Sequence, residues 1–142
     1  MNAASVGTNY GASTSLRADA SPDVHSYLRF TVPELGGASI SQARLLIYAT
    51  SGSTQGIGAQ IVADNSWGEN TINYSNAPAL GSFLASSPAV MTGTWISLDV
   101  TSYITGSGTY NFGVTTPGST AIGLSSRESG VNAPQLIIDL QP

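Results

Sequence analysis

Apolar and polar residues alternate along much of the chain, whereas the 3.6-residue spacing of an amphipathic helix is hard to find. Such alternation is typical of β-strands that bury one face. It predicts eight strands and a short ninth one at 71–75; the eight cover residues 14–18, 26–32, 43–50, 57–62, 95–100, 109–116, 120–127 and 134–140. Clusters of Gly, Pro, Asn and Ser separate them. We therefore predict an all-β fold, an antiparallel, jelly-roll-like β-sandwich of eight or nine strands.

Two segments depart from the alternating pattern. Residues 76–94 contain clusters of small residues and prolines, which predict a long loop packed against the sandwich. Residues 99–104 fit one helical turn, which Asp99 or Thr101 could cap.

The alternation also assigns side chains to faces. In the stretch "HSYLRF" it sends Leu28 and Phe30 to the core and turns Arg29 outward beside Tyr27. The strand 43–50 repeats the arrangement, because Arg44 and Tyr48 share its outward face. Arginines and tyrosines are thus predicted to share the faces that point away from the core.

The amino-acid composition limits the classes of protein to which the chain can belong. The 142 residues fit one domain, 1–142, in which 1–8 is a residual N-terminal segment, and 41% apolar residues are enough for a core. Only 8% of the residues are charged, against about 25% in ordinary domains. The net charge of −4 argues against binding to nucleic acid or to anionic membranes. A surface wetted by hydroxyls and amides suits a secreted or extracellular β-protein.

Several kinds of segment and site are missing from the sequence. Cysteine is absent, so disulfides and thiol chemistry are excluded. The longest apolar run is far shorter than the ~20 residues that span a bilayer, so we expect no membrane insertion. The start of the chain has neither a charged nor an apolar signal region. We expect a mature fragment of a longer protein, with a cytosolic protein as the alternative.

Five stretches occur in a characteristic order between Thr8 and Leu140: "TNYGASTSLRA", "HSYLRFTVPELGGASISQARLLIY", "DNSWGENTINYSNAPALG", "TGTWISLDVTSYI" and "AIGLSSRESGVNAPQLII". In this the chain resembles the DNRLRE-type domain, also classified as carbohydrate-binding module family 96. The resemblance implies a β-sandwich of a secreted or surface-exposed protein that binds polysaccharide, with acidic, alginate-like glycans as the best-known ligands.

The chain departs from the family pattern in two places. Only "AASV" precedes "GTNYG", so the usual opening strand is expected to be truncated or missing, which would expose a sheet edge that another chain could complete. Tyr74 stands where relatives often have tryptophan, and this would weaken any stacking of sugar at that position.

Taken with the resemblance, the outward residues are candidates for sugar binding, because aromatic faces pack on sugar C–H bonds and arginine forks onto hydroxyls or carboxylates. The candidate ligand-binding residues are His25, Tyr27, Arg29, Arg44, Tyr48 and Tyr74. The alternative for the arginines is an ion pair with Glu34, Glu128 or Asp139, and for Arg127 we favour Glu128. Trp67 and Trp95 are expected to cover open ends of the sandwich.

Metal binding and catalysis have weaker support. Calcium prefers oxygen ligands, and the densest oxygen clusters include Asp19 with Asp23, and Asp64 with Asn65. Neither cluster matches a defined calcium loop. A chain without cysteine or lysine, and with one histidine, has few routes to a catalytic centre, so we predict no enzyme.

The sequence therefore predicts a non-catalytic carbohydrate-binding module that binds polysaccharide on a sheet face or rim. The alternative is a structural subunit of an extracellular filament or adhesive surface assembly, with strand complementation between copies. Its support is the short N-terminus and the scarcity of charge.

Overall fold

Ten β-strands carry the fold in the computed structural model, which describes residues 1–141. In chain order they are β1 (Ser15–Ala20), β2 (Asp23–Val24), β3 (Ser26–Val32), β4 (Ser39–Tyr48), β5 (Gly58–Val62), β6 (Phe83–Ser86), β7 (Trp95–Asp99), β8 (Gly108–Thr115), β9 (Ile122–Ser125) and β10 (Gln135–Gln141). A short 3-10 helix, Arg127–Asn132, precedes β10. The prediction of an all-β fold is confirmed.

The strands form three antiparallel sheets in the orders β2-β1-β9, β10-β4-β7 and β3-β8-β5-β6. A bridge between Ala49 and Leu124, and a bond from the Thr50 N–H to the Gly123 carbonyl (2.9 Å), connect the end of β4 to β9. The two three-stranded sheets thereby make one layer, and the four-stranded sheet makes the other. The described residues thus form a β-sandwich, as predicted.

The core lies between the layers and follows the predicted alternation. Its inward side chains are fully buried on both layers, and they include Leu45, Ile47, Leu98, Phe112, Val114, Ile122 and Leu124. Burying this much apolar surface is the main favourable contribution to folding. A second, smaller cluster of Tyr27, Val62 and Ile72 holds the loop after β5 against the outer side of the four-stranded sheet.

The predicted strand at 71–75 is wrong. This segment forms turns, because the Asn76 side chain accepts a bond from the Asn73 N–H (2.7 Å) and donates one to the Thr71 carbonyl (2.9 Å). Side-chain amides that bond locally to the backbone compete with a strand ladder. The long loop predicted at 76–94 also needs correction, since β6 lies inside it and pairs with β5.

The observed boundaries of other elements differ from the predicted ones by a few residues. The helical turn predicted at 99–104 is a turn at residues 101–103, just after β7 ends, and Asp99 does cap it by accepting the Thr101 N–H (3.0 Å). The strand predicted at 120–127 is shorter, because Ser126 accepts the Glu128 N–H and starts the 3-10 helix. The two-residue strand β2 escaped prediction.

The N-terminal residues pair with the chain next to β3. The Ala3 N–H donates to the Asp23 carbonyl (2.8 Å) and the His25 N–H donates to the Met1 carbonyl (3.0 Å). Asn2 stands opposite Val24 in an antiparallel bridge. Met1 to Ala3 thus form a short extended stretch beside Asp23 to His25. Among residues 1–141, no helix has the length and apolar character needed to cross a bilayer.

Candidate functional site

The six predicted ligand-binding residues divide between the two layers. His25, Tyr27, Arg29 and Tyr74 gather around β3, whereas Arg44 and Tyr48 lie on the outer face of the β10-β4-β7 sheet. The two Arg–Tyr pairs, which look alike in sequence, therefore belong to different surfaces. Their surroundings differ as much as their positions.

Arg29 ties a loop to the four-stranded sheet. Its Nε donates to Asn111 Oδ1 (2.9 Å), and its Nη2 donates to the carbonyls of Asn65 (3.0 Å) and Trp67 (2.6 Å). The guanidinium carbon lies 4.1 Å from the centre of the Trp67 ring, within cation–π range. These contacts use most of the donors that a ligand would need, so Arg29 serves mainly as an anchor.

Tyr27 and its neighbours form a packed seam. Tyr27 is only 8% exposed and donates its hydroxyl to the Pro78 carbonyl (2.6 Å). Burial, reinforced by the negative charge of Asp23, raises the pKa of Tyr27 to about 12. The Tyr74 hydroxyl donates to Asp23 Oδ2 (2.9 Å), a bond that also raises the Tyr74 pKa. With His25 buried beside them, this group offers little ring surface to a ligand.

Arg44 has a different environment. Its Nη2 lies 3.9 Å from Asp139 Oδ2, at the outer limit of an ion pair, and its Nε has no partner in the structure. Asp99 stands opposite Arg44 on β7, and Ile137 stands opposite it on β10. The predicted ion pair with Asp139 is thus long. The Arg44 side chain is 38% exposed, but its unpartnered Nε is buried.

An aromatic pair lies on the same face. Tyr48 stands opposite Trp95 across β4 and β7, and their ring centres are 5.3 Å apart in an edge-to-face arrangement. Trp95 is 41% exposed, so it does not cover an open end of the sandwich as the sequence suggested. Tyr48 is four residues from Arg44 along one strand, which corresponds to about 13 Å.

Polar groups fill the space between the arginine and the aromatic pair. Gln135 and Ser97, both exposed, flank Leu46 in the register of the three strands. We call the set Arg44, Leu46, Tyr48, Trp95, Ser97, Asp99, Gln135, Ile137 and Asp139 the outer face. Trp95, Ser97 and Gln135 were missed as site residues, although the alternation in "WISLDV" already directs Trp95 and Ser97 away from the core.

The predicted calcium ligands are occupied by other contacts. Asp19 accepts bonds from Arg17 Nη2 (2.8 Å) and the Ser21 N–H (3.1 Å), while Asp64 accepts the Ser66 N–H (2.7 Å). Asp23 accepts a bond from the Tyr74 hydroxyl, and the Asn65 amide oxygen accepts a bond from Asn111 Nδ2 (3.0 Å). Over residues 1–141, no three His, Cys, Asp or Glu side chains come together as a metal cluster would require. Calcium binding stays a prediction.

The contacts of Asp19 predict a pH dependence of stability. The Ser21 N–H, and after it Arg17, hold the pKa of the Asp19 carboxyl below its ordinary value of 3.8, although burial acts in the opposite direction. A carboxyl whose pKa is lower in the folded state stabilises the fold above its unfolded pKa and loses this contribution as the pH falls through the folded one. We expect wild type to be more stable than Asp19→Asn near neutrality, and the difference to shrink below pH 3.8. Urea unfolding between about pH 2 and 6 measures it; a difference independent of pH would contradict the assignment.

A cleft of about 500 Å³ lies away from the outer face, between β1 and β3. Its lining is mainly apolar, with Leu16, Leu28 and Phe30 among the lining side chains. At its rim Arg127 bonds to Glu128 (3.1 Å), as predicted, and also to Glu69. The cleft has the size of a ligand pocket, whereas the outer face combines the exposed ring of Trp95 with exposed polar side chains.

The described residues form a two-layered β-sandwich whose β10-β4-β7 sheet carries aromatic and polar side chains on its outer side. The chain belongs to carbohydrate-binding module family 96, whose family model matches residues 2–140. Modules of this kind are generally non-catalytic. No curated protein matches the sequence.

Proposed function

We propose that the protein binds polysaccharide on the outer face of the β10-β4-β7 sheet. The observation that carries the proposal is the 41% exposed Trp95, which packs edge to face on the half-buried Tyr48 and lies on the same sheet face as Arg44, whose side chain is 38% exposed. Family membership supports carbohydrate as the class of ligand. The saturated contacts of Tyr27 and Arg29 make the β3 surface a poorer choice.

The chemistry of the outer face suits sugar rings. The faces of Trp95 and Tyr48 can pack on the C–H bonds of a sugar, while Ser97, Gln135 and Arg44 supply hydroxyl, amide and guanidinium groups for its hydroxyls. An extended glycan that lies along β4 would contact the aromatic pair at one end and Arg44 at the other. An extracellular location fits this role and the low charge of the chain.

The charges on the face bear on the type of glycan. Asp99 stands opposite Arg44 in the strand register and Asp139 lies 3.9 Å from its guanidinium, so this arginine has two acidic neighbours. The whole chain also carries a net charge of −4. A polyanion such as alginate would be repelled by this field. We therefore propose a neutral polysaccharide as the ligand in preference to the acidic glycans that the resemblance implies.

Trp95→Ala is expected to weaken polysaccharide binding by at least about tenfold, since truncation of a contacting tryptophan commonly costs more than 1.4 kcal/mol. Affinity electrophoresis against soluble β-glucan, xylan, mannan and alginate, with calcium and with a chelator, would find the ligand and measure the loss. Phe83→Ala is the matched control, because Phe83 is a 67% exposed aromatic residue on β6, in the other layer. It should bind as wild type does.

Two results would contradict the proposal. Equal binding by Trp95→Ala and wild type would remove the outer face as the site, and tighter binding of alginate than of every neutral glycan would overturn the choice of a neutral ligand. Absence of binding to any polysaccharide of the panel would remove the proposed function itself.

A further inference from the structure

An apolar stripe crosses the three strands of the outer face diagonally. Leu46 on β4 stands opposite Ser97 on β7 and Gln135 on β10. Trp95 comes two residues before Ser97, which makes it a diagonal neighbour of Leu46 towards one end of the face. Ile137 comes two residues after Gln135, which makes it a diagonal neighbour of Leu46 towards the other end. Diagonal neighbours are about 7–8 Å apart, so the apolar stripe of Trp95, Leu46 and Ile137 is about 15 Å long.

The stripe is not part of the core. Leu45 and Ile47 on either side of Leu46 are fully buried between the layers, whereas Leu46 and Ile137 are only half-buried. Trp95 is 41% exposed. Among residues 1–141, none of the three stripe residues belongs to the core cluster or packs against it. Part of their apolar surface therefore faces water, and its burial by a ligand would be favourable.

Polar side chains border the stripe on both sides. In the strand register, Ser97 and Arg44 lie on one side of it. Tyr48 and Gln135 lie on the other side. One border offers a hydroxyl and a guanidinium, and the other offers a phenol hydroxyl and an amide. An apolar track between two polar borders is complementary to a flat chain that is apolar on its face and polar along both edges.

The linkages of a glycan determine whether its chain has this form. Pyranoses joined through equatorial bonds at opposite ends of the ring, as in cellulose, mannan and xylan, form a straight ribbon. The faces of the ribbon carry C–H bonds, and its edges carry hydroxyls. Laminarin and amylose have other linkages and curve into helices, so they cannot keep successive ring faces on a flat stripe. A stiff ribbon also loses less conformational freedom when it binds.

We propose that the outer face binds a single ribbon-shaped neutral glycan, of the cellulose, mannan or xylan type, along the apolar stripe. The inference rests on the proposed function, and it narrows the class of polysaccharide and fixes the path of the chain. On this path Arg44 borders the glycan, and Ile137 lies under its far end. A glycan that followed β4 would instead pass over Arg44 to Gln42, the next residue on the same side of that strand. Ile137 and Gln42 therefore distinguish the two paths.

Soluble hexasaccharides test the class of glycan. NMR titrations with cellohexaose, mannohexaose, xylohexaose, laminarihexaose and maltohexaose, followed at the amide resonances of Leu46 and Ser97, measure the affinities. At least one of the first three should bind about tenfold or more tightly than both laminarihexaose and maltohexaose. The proposal is overturned if laminarihexaose or maltohexaose binds as tightly as the best ribbon-shaped hexasaccharide. This comparison needs no variant of the protein.

Matched variants test the path. Ile137→Val and Ile137→Thr have side chains of nearly the same shape, and both suit a strand, but only valine keeps the surface apolar. Ile137→Thr should bind the best hexasaccharide at least about threefold more weakly than Ile137→Val does. Gln42→Thr should bind it as wild type does. Equal binding by the two Ile137 variants would overturn the path, and so would a loss in Gln42→Thr as large as that in Ile137→Thr.

Trp95→Ala separates this inference from the proposed function. If Trp95→Ala binds hexasaccharides and polysaccharides as wild type does, the outer face is not the site, and the proposed function and this inference both fail. If Trp95→Ala loses binding while the Ile137 variants bind equally, the outer face remains the site and only the diagonal path is overturned.

Discussion

Phe112→Ala is expected to lower the free energy of unfolding by about 3–5 kcal/mol. Phe112 is fully buried on β8, the strand between β3 and β5. Its ring meets Phe30 at 6.1 Å and Tyr103 at 5.4 Å between centres, both edge to face. Truncation leaves a cavity lined by both layers, which cannot close because the sheets hold the walls apart. A small domain has only about 5–15 kcal/mol of stability to lose.

Urea unfolding followed by tryptophan fluorescence measures this loss, and Phe83→Ala provides the comparison. Phe83 is exposed, so its truncation should change stability by no more than about 0.5 kcal/mol. If Phe112→Ala cost less than about 1 kcal/mol, the central position of Phe112 in the core would be in error.

Asn111→Ala is expected to produce the second large effect, lowering the free energy of unfolding by about 2–4 kcal/mol. Asn111 is 2% exposed; its amide oxygen accepts Arg29 Nε (2.9 Å) and its amide nitrogen donates to Asn65 Oδ1 (3.0 Å). Alanine removes both bonds and leaves Arg29 Nε and Asn65 Oδ1 without these partners, while Arg29 Nη2 keeps its bonds to the Asn65 and Trp67 carbonyls. The loop after β5 then loses a direct link to β8.

A double-mutant cycle isolates the contribution of the Arg29–Asn111 bond to stability. Arg29→Ala, Asn111→Ala and the double variant, compared by urea unfolding, should show a coupling of about 1–2 kcal/mol, because each single change already breaks the same bond. Additive losses would mean that the Arg29–Asn111 bond contributes nothing to stability, and that Arg29 acts through its carbonyl contacts alone.

The alternation of apolar and polar residues was sufficient to predict the strands that bury one face and expose the other. Strand β3 begins and ends where the sequence predicted it, at residues 26 and 32, because apolar and polar side chains alternate through its whole length. β6 and β2 are too short for alternation to be recognised. The segment 71–75 was misread because its apolar and aromatic residues fit a strand, while the bonds of the Asn76 side chain hold it in turns.

The candidate site was harder to predict, and the two arginines show why. Arg29 and Arg44 each follow a leucine or alanine and precede an apolar residue, so their local sequences predict the same outward position. Arg29 is anchored by Asn65, Trp67 and Asn111, which lie 36, 38 and 82 residues further along the chain. Among the described residues, Arg44 has no comparable set of hydrogen-bond partners. Only the tertiary fold determines which guanidinium is already engaged.

The position of Trp95 was within reach of the sequence. Alternation in β7 places Ile96 and Leu98 in the core, and therefore Trp95 and Ser97 on the opposite side. What the sequence could not supply was the pairing of Tyr48 with Trp95, because the register between β4 and β7 joins residues 47 positions apart.

The unpaired edge of β3 belongs to one layer of the sandwich, and the face that carries Trp95 belongs to the other. A chain that paired with this edge would therefore leave free the face that is proposed to bind glycan. Copies of the protein held in a row through such pairing would bring many weak sugar contacts to one polymer, and linked sites can exceed the affinity of a single site by roughly 10²–10⁴ when the geometry allows simultaneous contact. In such a row, the spacing between copies would decide how strongly the polysaccharide is held.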